Sequence, residues 1–308
     1  MEKGVYRGLG LARPEGRVIF VPRAFPGDRL RVRLEREGGR HAEARLLEVL
    51  KAGPGRRAAP CPHAAACGGC AYQELGDAEQ LELKRVIVRE SLERAGLAVG
   101  HLPIRCGPPE GWRLRASLHL DHDRQPGFRE WQGHRVVPVT ACGHLSAPLN
   151  AAVAALGASL RVRPALLPAG ADLEVIESQD LGLRILALPA APADVLASGL
   201  LDELRSQGRF DGLGCWAGTG AGRRFVPLWG ARQAEARVLG QRLVWSPGSF
   251  FQANRFLLEA HAAAPSALAT LAVALRPEGS IGEGTVGVDR AKSLEQRIGG
   301  LDRGARRR

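Results

Sequence analysis

The pattern of apolar and polar positions divides the chain into three regions. Over residues 1–57, short segments alternate with period two or are rich in β-formers: VIFVP (Val18–Pro22), RLRVRL (Arg29–Leu34) and ARLLEVL (Ala44–Leu50). Pro26-Gly27-Asp28 and Gly38-Gly39 punctuate them as turns. Closely spaced short strands of this kind predict a small barrel of the OB type. A Pro/Gly-rich linker, GPGRRAAP (Gly53–Pro60), follows. Helical periodicity then sets in from Asp77 to Ala95, with Leu81, Val88 and Leu92 on one face and Lys84, Arg85, Arg89 and Arg94 over the rest. Asp77 is the expected N-cap and Gly96 the expected stop.

Residues 105–245 mix the two periods. RASLHLD (Arg115–Asp121), DLEVIES (Asp172–Ser178), LGLRILAL (Leu181–Leu188) and QRLVWS (Gln241–Ser246) read as strands. Leu149–Leu160 and Ala193–Gln207 read as helices, and GTGAG (Gly218–Gly222) as a hairpin turn between strand-like segments. Hairpins with intervening helices predict an α+β domain, not a doubly wound sheet. From Asn254 an Ala/Leu-rich helical stretch, broken at Pro265, runs to about Leu275. From Arg276 the sequence turns Gly- and Arg-rich and ends in RGARRR, which reads as an atypical loose tail.

Length and charge narrow the picture. A chain of 308 residues is expected to form two or three domains, and 45% hydrophobic content can build a core. No apolar run reaches the roughly 18 residues that span a bilayer, and no signal-like segment opens the chain, so a cytoplasmic protein with no membrane partner is expected. The net charge of +11 favours a polyanionic partner, nucleic acid above all. Arginine far outnumbers lysine, so a GC-rich genome is the competing explanation of that charge. Arg13, Arg17, Arg23, Arg29, Arg31, Arg33, Arg36 and Arg40 fall on the expected barrel. They read as an RNA-contacting face, with a merely solvated face as the alternative.

Of six cysteines, three cluster in CPHAAACGGC, at Cys61, Cys67 and Cys70. Close cysteines in a cytosolic chain point to metal or catalysis before disulfides. The Gly-Gly pair lets the backbone fold tightly around a bound group. Iron–sulfur clusters take four thiolates, and Cys142, in TACGHL, is the candidate fourth ligand. Structural zinc, which also accepts four thiolates, and a set of free buried cysteines stay open on spacing alone. Cys106 and Cys215 read as small core residues.

GLARPEGRVIFVPRAFPGDRLRVRL, followed by CPHAAACGGC, GWRLRASLHLD, GFREWQGHRVVPVTACGHL and SPGSFFQAN (Ser246–Asn254), resembles the signatures of the TRAM-containing, iron–sulfur RNA (uracil-5-)methyltransferases in their usual order. The resemblance implies a TRAM domain of OB type over residues 1–55 and an iron–sulfur α+β central domain over 56–248. It places the opening of a Rossmann-like methyltransferase domain at 249–275 and leaves 276–308 as a tail. The helix at 77–95 is expected to pack with the methyltransferase part. The resemblance further implies a 4Fe–4S cluster on Cys61, Cys67, Cys70 and Cys142, an S-adenosyl-L-methionine site to which Gln252 contributes, and RNA as partner, with ribosomal (23S) favoured over transfer RNA. In that family a cysteine thiolate attacks carbon 6 of uracil, carbon 5 takes the methyl group, and a base removes the carbon 5 proton. The base must first leave its stack, so RNA-gripping modules accompany the enzyme.

The chain departs from the family's pattern after Leu275. A Gly-rich cofactor loop, a second strand with an acidic residue and a late Cys-x-Pro nucleophile are expected there, and 33 residues hold at most one strand–helix unit. GEGTVG (Gly282, Gly284, Gly287) matches GxGxxG but has no strand before it. No catalytic residue is assigned. A reading frame truncated or shifted near Arg276 is the expectation, giving a chain inactive alone. A non-catalytic iron–sulfur RNA-binding protein or a pseudogene product is the alternative. The two other frames of the downstream DNA test the frameshift: absence of a Gly-rich loop and a late Cys-x-Pro from both would end it.

Overall fold

A computed structural model describes residues 1–39 and 41–264. The stretch expected from Pro265 to Leu275, the GEGTVG motif, the tail and Arg40 lie outside the described residues. All the elements below belong to one unit, Met1–Ala262.

The first sheet contains β1 (Lys3–Val5), β2 (Leu9–Ala12), β3 (Val18–Pro22), β4 (Arg29–Glu37) and β5 (His41–Lys51), paired in the order β1-β2-β3-β5-β4. β3 and β5 are parallel and the other pairs antiparallel. In β4 the period of two sends Leu30 and Val32 toward a small core of Val21, Ala24 and Ala44, while Arg29, Arg31 and Arg33 stay outside. Arg13, Arg17, Arg31, Arg33 and Arg36 each meet a glutamate of the same sheet region, which takes up part of the charge offered to a ligand. Arg23 turns inward to Glu74 at 2.7 Å.

The helix α1 spans Asp77–Arg94. Its N-cap is Gly76, so the expected cap, Asp77, sits one position inside. It ends as expected at Gly96, in the left-handed region at φ +81. The Gly96 and Leu97 N–H groups donate to the carbonyls of Glu93 and Leu92, closing the last turn. The buried anchor is Leu83, outside the expected face of Leu81, Val88 and Leu92, and Val88 is 49% exposed. Leu83 packs with Phe25 and Leu75, Gly4 leaves room for it, and Lys3 pairs with Glu90 at 2.6 Å. The helix therefore docks on the first sheet. Most of the segment after residue 249, with which it is expected to pack, lies outside the described residues.

The central sheet is seven-stranded, in the order β12-β11-β10-β9-β6-β7-β8. Its strands are β6 (Arg115–Leu120), β7 (Pro126–Arg129), β8 (Val136–Pro138), β9 (Asp172–Glu177), β10 (Arg184–Leu188), β11 (Gly212–Ala217) and β12 (Arg224–Gly230). Only β10–β11 is parallel. On one face, Leu118, Val175, Leu186 and Leu213 form the main core with α2 (Ala147–Arg161), α3 (Pro192–Ala197) and α4 (Leu200–Gln207). Ser146 caps α2 by accepting the Leu149 N–H at 3.1 Å. The single helix expected over 193–207 is split at Gly199, which takes φ +70. The opposite face carries Ile176 and Ile185 against the hairpin β13 (Ala234–Val238) and β14 (Gln241–Trp245). Helices on one face of a mainly antiparallel sheet match the expected α+β domain.

Among the described residues no helix is long and apolar enough to cross a membrane.

Candidate functional site

Cys61, Cys67, Cys70 and Cys142 line a single cavity, together with His63, Arg113 and His144. Three elements bring the sulfurs there. The cysteine loop turns on itself through Cys67 N–H to the His63 carbonyl (2.8 Å) and is fixed to the end of β7 through Gly68 N–H to the Arg129 carbonyl (2.9 Å). Gly68 is obligatory at this approach, since a Cβ would come within 2.9 Å of the Arg129 carbonyl oxygen. The Gly69 N–H donates to Cys67 Sγ at 3.4 Å.

The remote cysteine is positioned by α2. Asn150 accepts the Cys142 N–H at Oδ1 (2.8 Å) and donates from Nδ2 to the Cys142 carbonyl (2.9 Å). Its two amide atoms thus fix the Cys142 backbone on both sides of its Cα. The first sheet holds the loop from the other side. Arg23 reaches Glu74 and the Ala65 carbonyl, and Arg56 joins buried Asp28 at 2.6 Å.

The cavity is polar but underserved. His63 Nε2 and Arg113 Nε are buried there without a hydrogen-bond partner. Cys70 Sγ lies 3.7 Å from His144 Nδ1. Burial pushes the Cys67 and Cys70 thiols up from their ordinary value, and mutual repulsion with Cys142 and Cys61 adds to it. The Gly69 N–H and Arg113 pull Cys67 the other way. Burial, reinforced by Arg113, holds His144 below its ordinary value, so its imidazole favours the neutral form. Such a site offers four sulfur donors, an unpaired guanidinium and hydrogen-bond donors to something anionic or electron-rich. Among the described residues no three His, Cys, Asp or Glu side chains are arranged to hold one metal ion.

The remaining sequence candidates fall elsewhere. Cys215 is buried in the main core, with its thiol pushed up to about 11 by burial. Cys106, expected in a core, is exposed. Gln252 is exposed on a segment tied to the sheet by Leu114 N–H to the Ala253 carbonyl (2.8 Å) and Arg255 N–H to the Trp112 carbonyl (2.9 Å). Along that segment Phe251 stacks on Trp245 at 3.8 Å, while Phe250 is 82% exposed. Two buried carboxylates brace it: Glu174 accepts from Arg115 (2.6 Å) and the Gly248 N–H (2.8 Å), and Glu177 pairs with Arg255. Asn150, Arg113 and His144 were not legible as site residues. The one available signal was the closeness of His144 to Cys142 in sequence.

No family model matches the chain. It is 33% identical over 262 residues to the 23S rRNA (uracil(1939)-C(5))-methyltransferase RlmD of Pseudomonas entomophila, covering 80% of this chain and 55% of that protein. An uncharacterised RNA methyltransferase of Aquifex aeolicus is 36% identical over 146 residues, 46% of this chain and 34% of its own length. The crystal structure of Pyrococcus abyssi tRNA (uracil-54, C5)-methyltransferase, in complex with S-adenosyl-L-homocysteine, superposes with a TM-score of 0.63 at 22% identity, covering 85% of this chain and 65% of that one. The chain spans about half the length of the curated relatives it matches at greatest coverage; over four-fifths of its own residues it is similar to RNA uracil-5-methyltransferases, and it shares the fold of one of them.

Proposed function

We propose that this chain descends from an S-adenosylmethionine-dependent RNA (uracil-5-)methyltransferase, and that its described part binds RNA and a 4Fe–4S cluster in the cytoplasm. Cys61, Cys67, Cys70 and Cys142 would hold the cluster. The single observation that carries the reading is that these four thiols, drawn from positions 61 to 142, line one cavity. Zinc would need all four sulfurs about 2.3 Å from one point. Four thiols lining one cavity, with Arg113 beside them to offset negative charge, are the donor set that a polynuclear cluster takes. When bound, such a cluster cross-links distant parts of the chain and can store an electron.

The first sheet takes the role of the TRAM domain, and ribosomal RNA is favoured over transfer RNA. Gln252, exposed on its braced segment, is assigned to the methyl-donor site. None of the chain's six cysteines is assigned as the nucleophile for carbon 6: four are assigned to the cluster, Cys215 is buried with its pKa raised, and Cys106, although Gly107 and Pro108 follow it, lies in a loop before β6 and not at the late position that the resemblance implies. Little or no methylation by this chain alone is therefore expected. The same observation favours a second reading, a non-catalytic iron–sulfur RNA-binding protein.

Anaerobically purified protein should contain iron and acid-labile sulfide, absorb in the visible, and bind RNA in a salt-dependent manner. Zinc in place of iron, or no RNA affinity at low salt, would overturn the proposal. Transfer of labelled methyl to RNA would refute the inactive reading and leave the descent standing.

A further inference from the structure

A second cleft, of about 690 Å³, opens at the β12 edge of the central sheet and is lined by Arg223, Arg224, Arg232, Phe225, Ser246 and Ser249 among others. The three arginines are exposed. Among the described residues none of them meets a carboxylate, whereas nearby Arg184, Arg242 and Arg255 are each neutralised, by Asp211, Glu235 and Glu177. Three like charges around one volume repel one another, and an anionic occupant relieves that repulsion. The contrast with the first sheet is direct, since most of its arginines are already paired with glutamates.

The cleft is braced. Arg223 lies 4.2 Å over the ring of Trp216 at the end of β11. Gly248 presses on the same ring, where a Cβ would stand 3.0 Å from it, and its φ of +85 also demands glycine. The Ser246–Ser249 rim is pinned by Glu174 to the Gly248 N–H and by Arg115 to the Ser249 carbonyl (2.7 Å). That rim runs straight into exposed Phe250 and Gln252. A peptide strand is a poor occupant, because Pro227 interrupts the ladder of N–H donors along this edge. Several guanidinium groups in an open groove beside exposed Phe250 suit a flexible polyanion that also carries flat bases.

We infer that this cleft grips the sugar-phosphate backbone of single-stranded RNA and so presents a nucleotide to the segment bearing Phe250 and Gln252. The inference rests on the RNA-directed reading above and gives it a second contact surface besides the first sheet.

The test uses the full chain and a fluorescein-labelled single-stranded RNA of roughly 16 nucleotides, titrated by anisotropy over a series of salt concentrations. Replacing Arg223, Arg224 and Arg232 together with alanine should lower affinity at low salt about tenfold or more. It should also shrink the slope of log affinity against log salt by about 2, since each single-strand phosphate contact contributes about 0.7. The triple lysine variant should keep the slope. Arg224→Glu alone should weaken binding with an unchanged thermal unfolding profile, which keeps the test valid if the triple variant misfolds. RNA binding by the unmodified chain with an unaltered slope in the triple alanine variant overturns this inference alone. No RNA binding by the unmodified chain overturns it together with the reading it rests on. Competition by poly-glutamate equal to that by RNA, at matched ionic strength, overturns RNA as the occupant.

Discussion

Asp28 offers the sharpest stability test of how the first sheet supports the cysteine loop. Its side chain is fully buried in the Pro26-Gly27-Asp28 turn. One carboxylate oxygen accepts the Phe25 N–H (2.8 Å) and Arg56 (2.6 Å), and the other accepts the Gly53 N–H (2.8 Å). Arg56 is itself only 8% exposed and has a second, longer contact to Glu74 at 3.5 Å. Asp28→Asn substitutes an amide, which can accept on one side only and sets N–H against N–H on the other. It also strips Arg56 of its nearest anion. Breaking one partner of a buried ion pair costs about 3–5 kcal/mol, and the residual contact to Glu74 places this case near ~3 kcal/mol. Total stabilities run about 5–15 kcal/mol, so the loss is a large fraction. Urea unfolding reads it as a lower midpoint at constant slope. Adding Arg56→Met should recover part of the loss, because no orphan charge then remains. A loss under about 1 kcal/mol, or single-variant effects that add within about 0.5 kcal/mol, would refute the reasoning.

Two further outcomes follow from the same contacts. Asn150→Ala removes both hydrogen bonds that fix the Cys142 peptide and should destabilise by about 1–3 kcal/mol; iron retention during desalting should fall while Asn150→Asp keeps part of it, and equal retention in both would count against the positioning role. The Ser159 hydroxyl, with Arg163, holds the Glu203 carboxyl below its ordinary value. A depressed folded value means stability present above the unfolded pKa and lost as pH falls through the folded one. Glu203→Gln should therefore cost under about 1 kcal/mol at neutral pH, given the partial exposure of the pair, and nothing in acid; a pH-independent difference would contradict this.

Strands with a period of two, such as β4 and β6, were legible because one face of each meets a core, and β3 and β9 were legible from their density of β-branched and apolar residues. β7, β8, β11 and β12 were not read as strands, although strand-like character was noted around GTGAG. Pro126, Gly127, Gly212, Gly214 and Pro227 dilute their pattern, although β7–β8 and β11–β12 pair as local hairpins. The split of α3 from α4 hangs on the left-handed Gly199, which a propensity reading treats as tolerable. The local cysteine trio was visible from spacing. Cys142 was a candidate only because a cluster needs a fourth thiolate, and the resemblance singled it out, since nothing local marks a residue 72 positions beyond Cys70 as its neighbour. Asn150 was invisible because its role is a side chain reaching back eight residues to a backbone. The glutamate partners of the first sheet's arginines were not legible, because sequence counts charges but not their partners.

The central claim is that a cysteine far along the chain completes a site begun by three close ones. Its most direct measurement is iron and acid-labile sulfide per chain in anaerobically purified Cys142→Ala, beside the unmodified protein and Cys106→Ala. About four of each are expected in the unmodified chain and in Cys106→Ala, with a marked loss of both in Cys142→Ala. Equal iron and sulfide in all three, or none in any, would contradict the account.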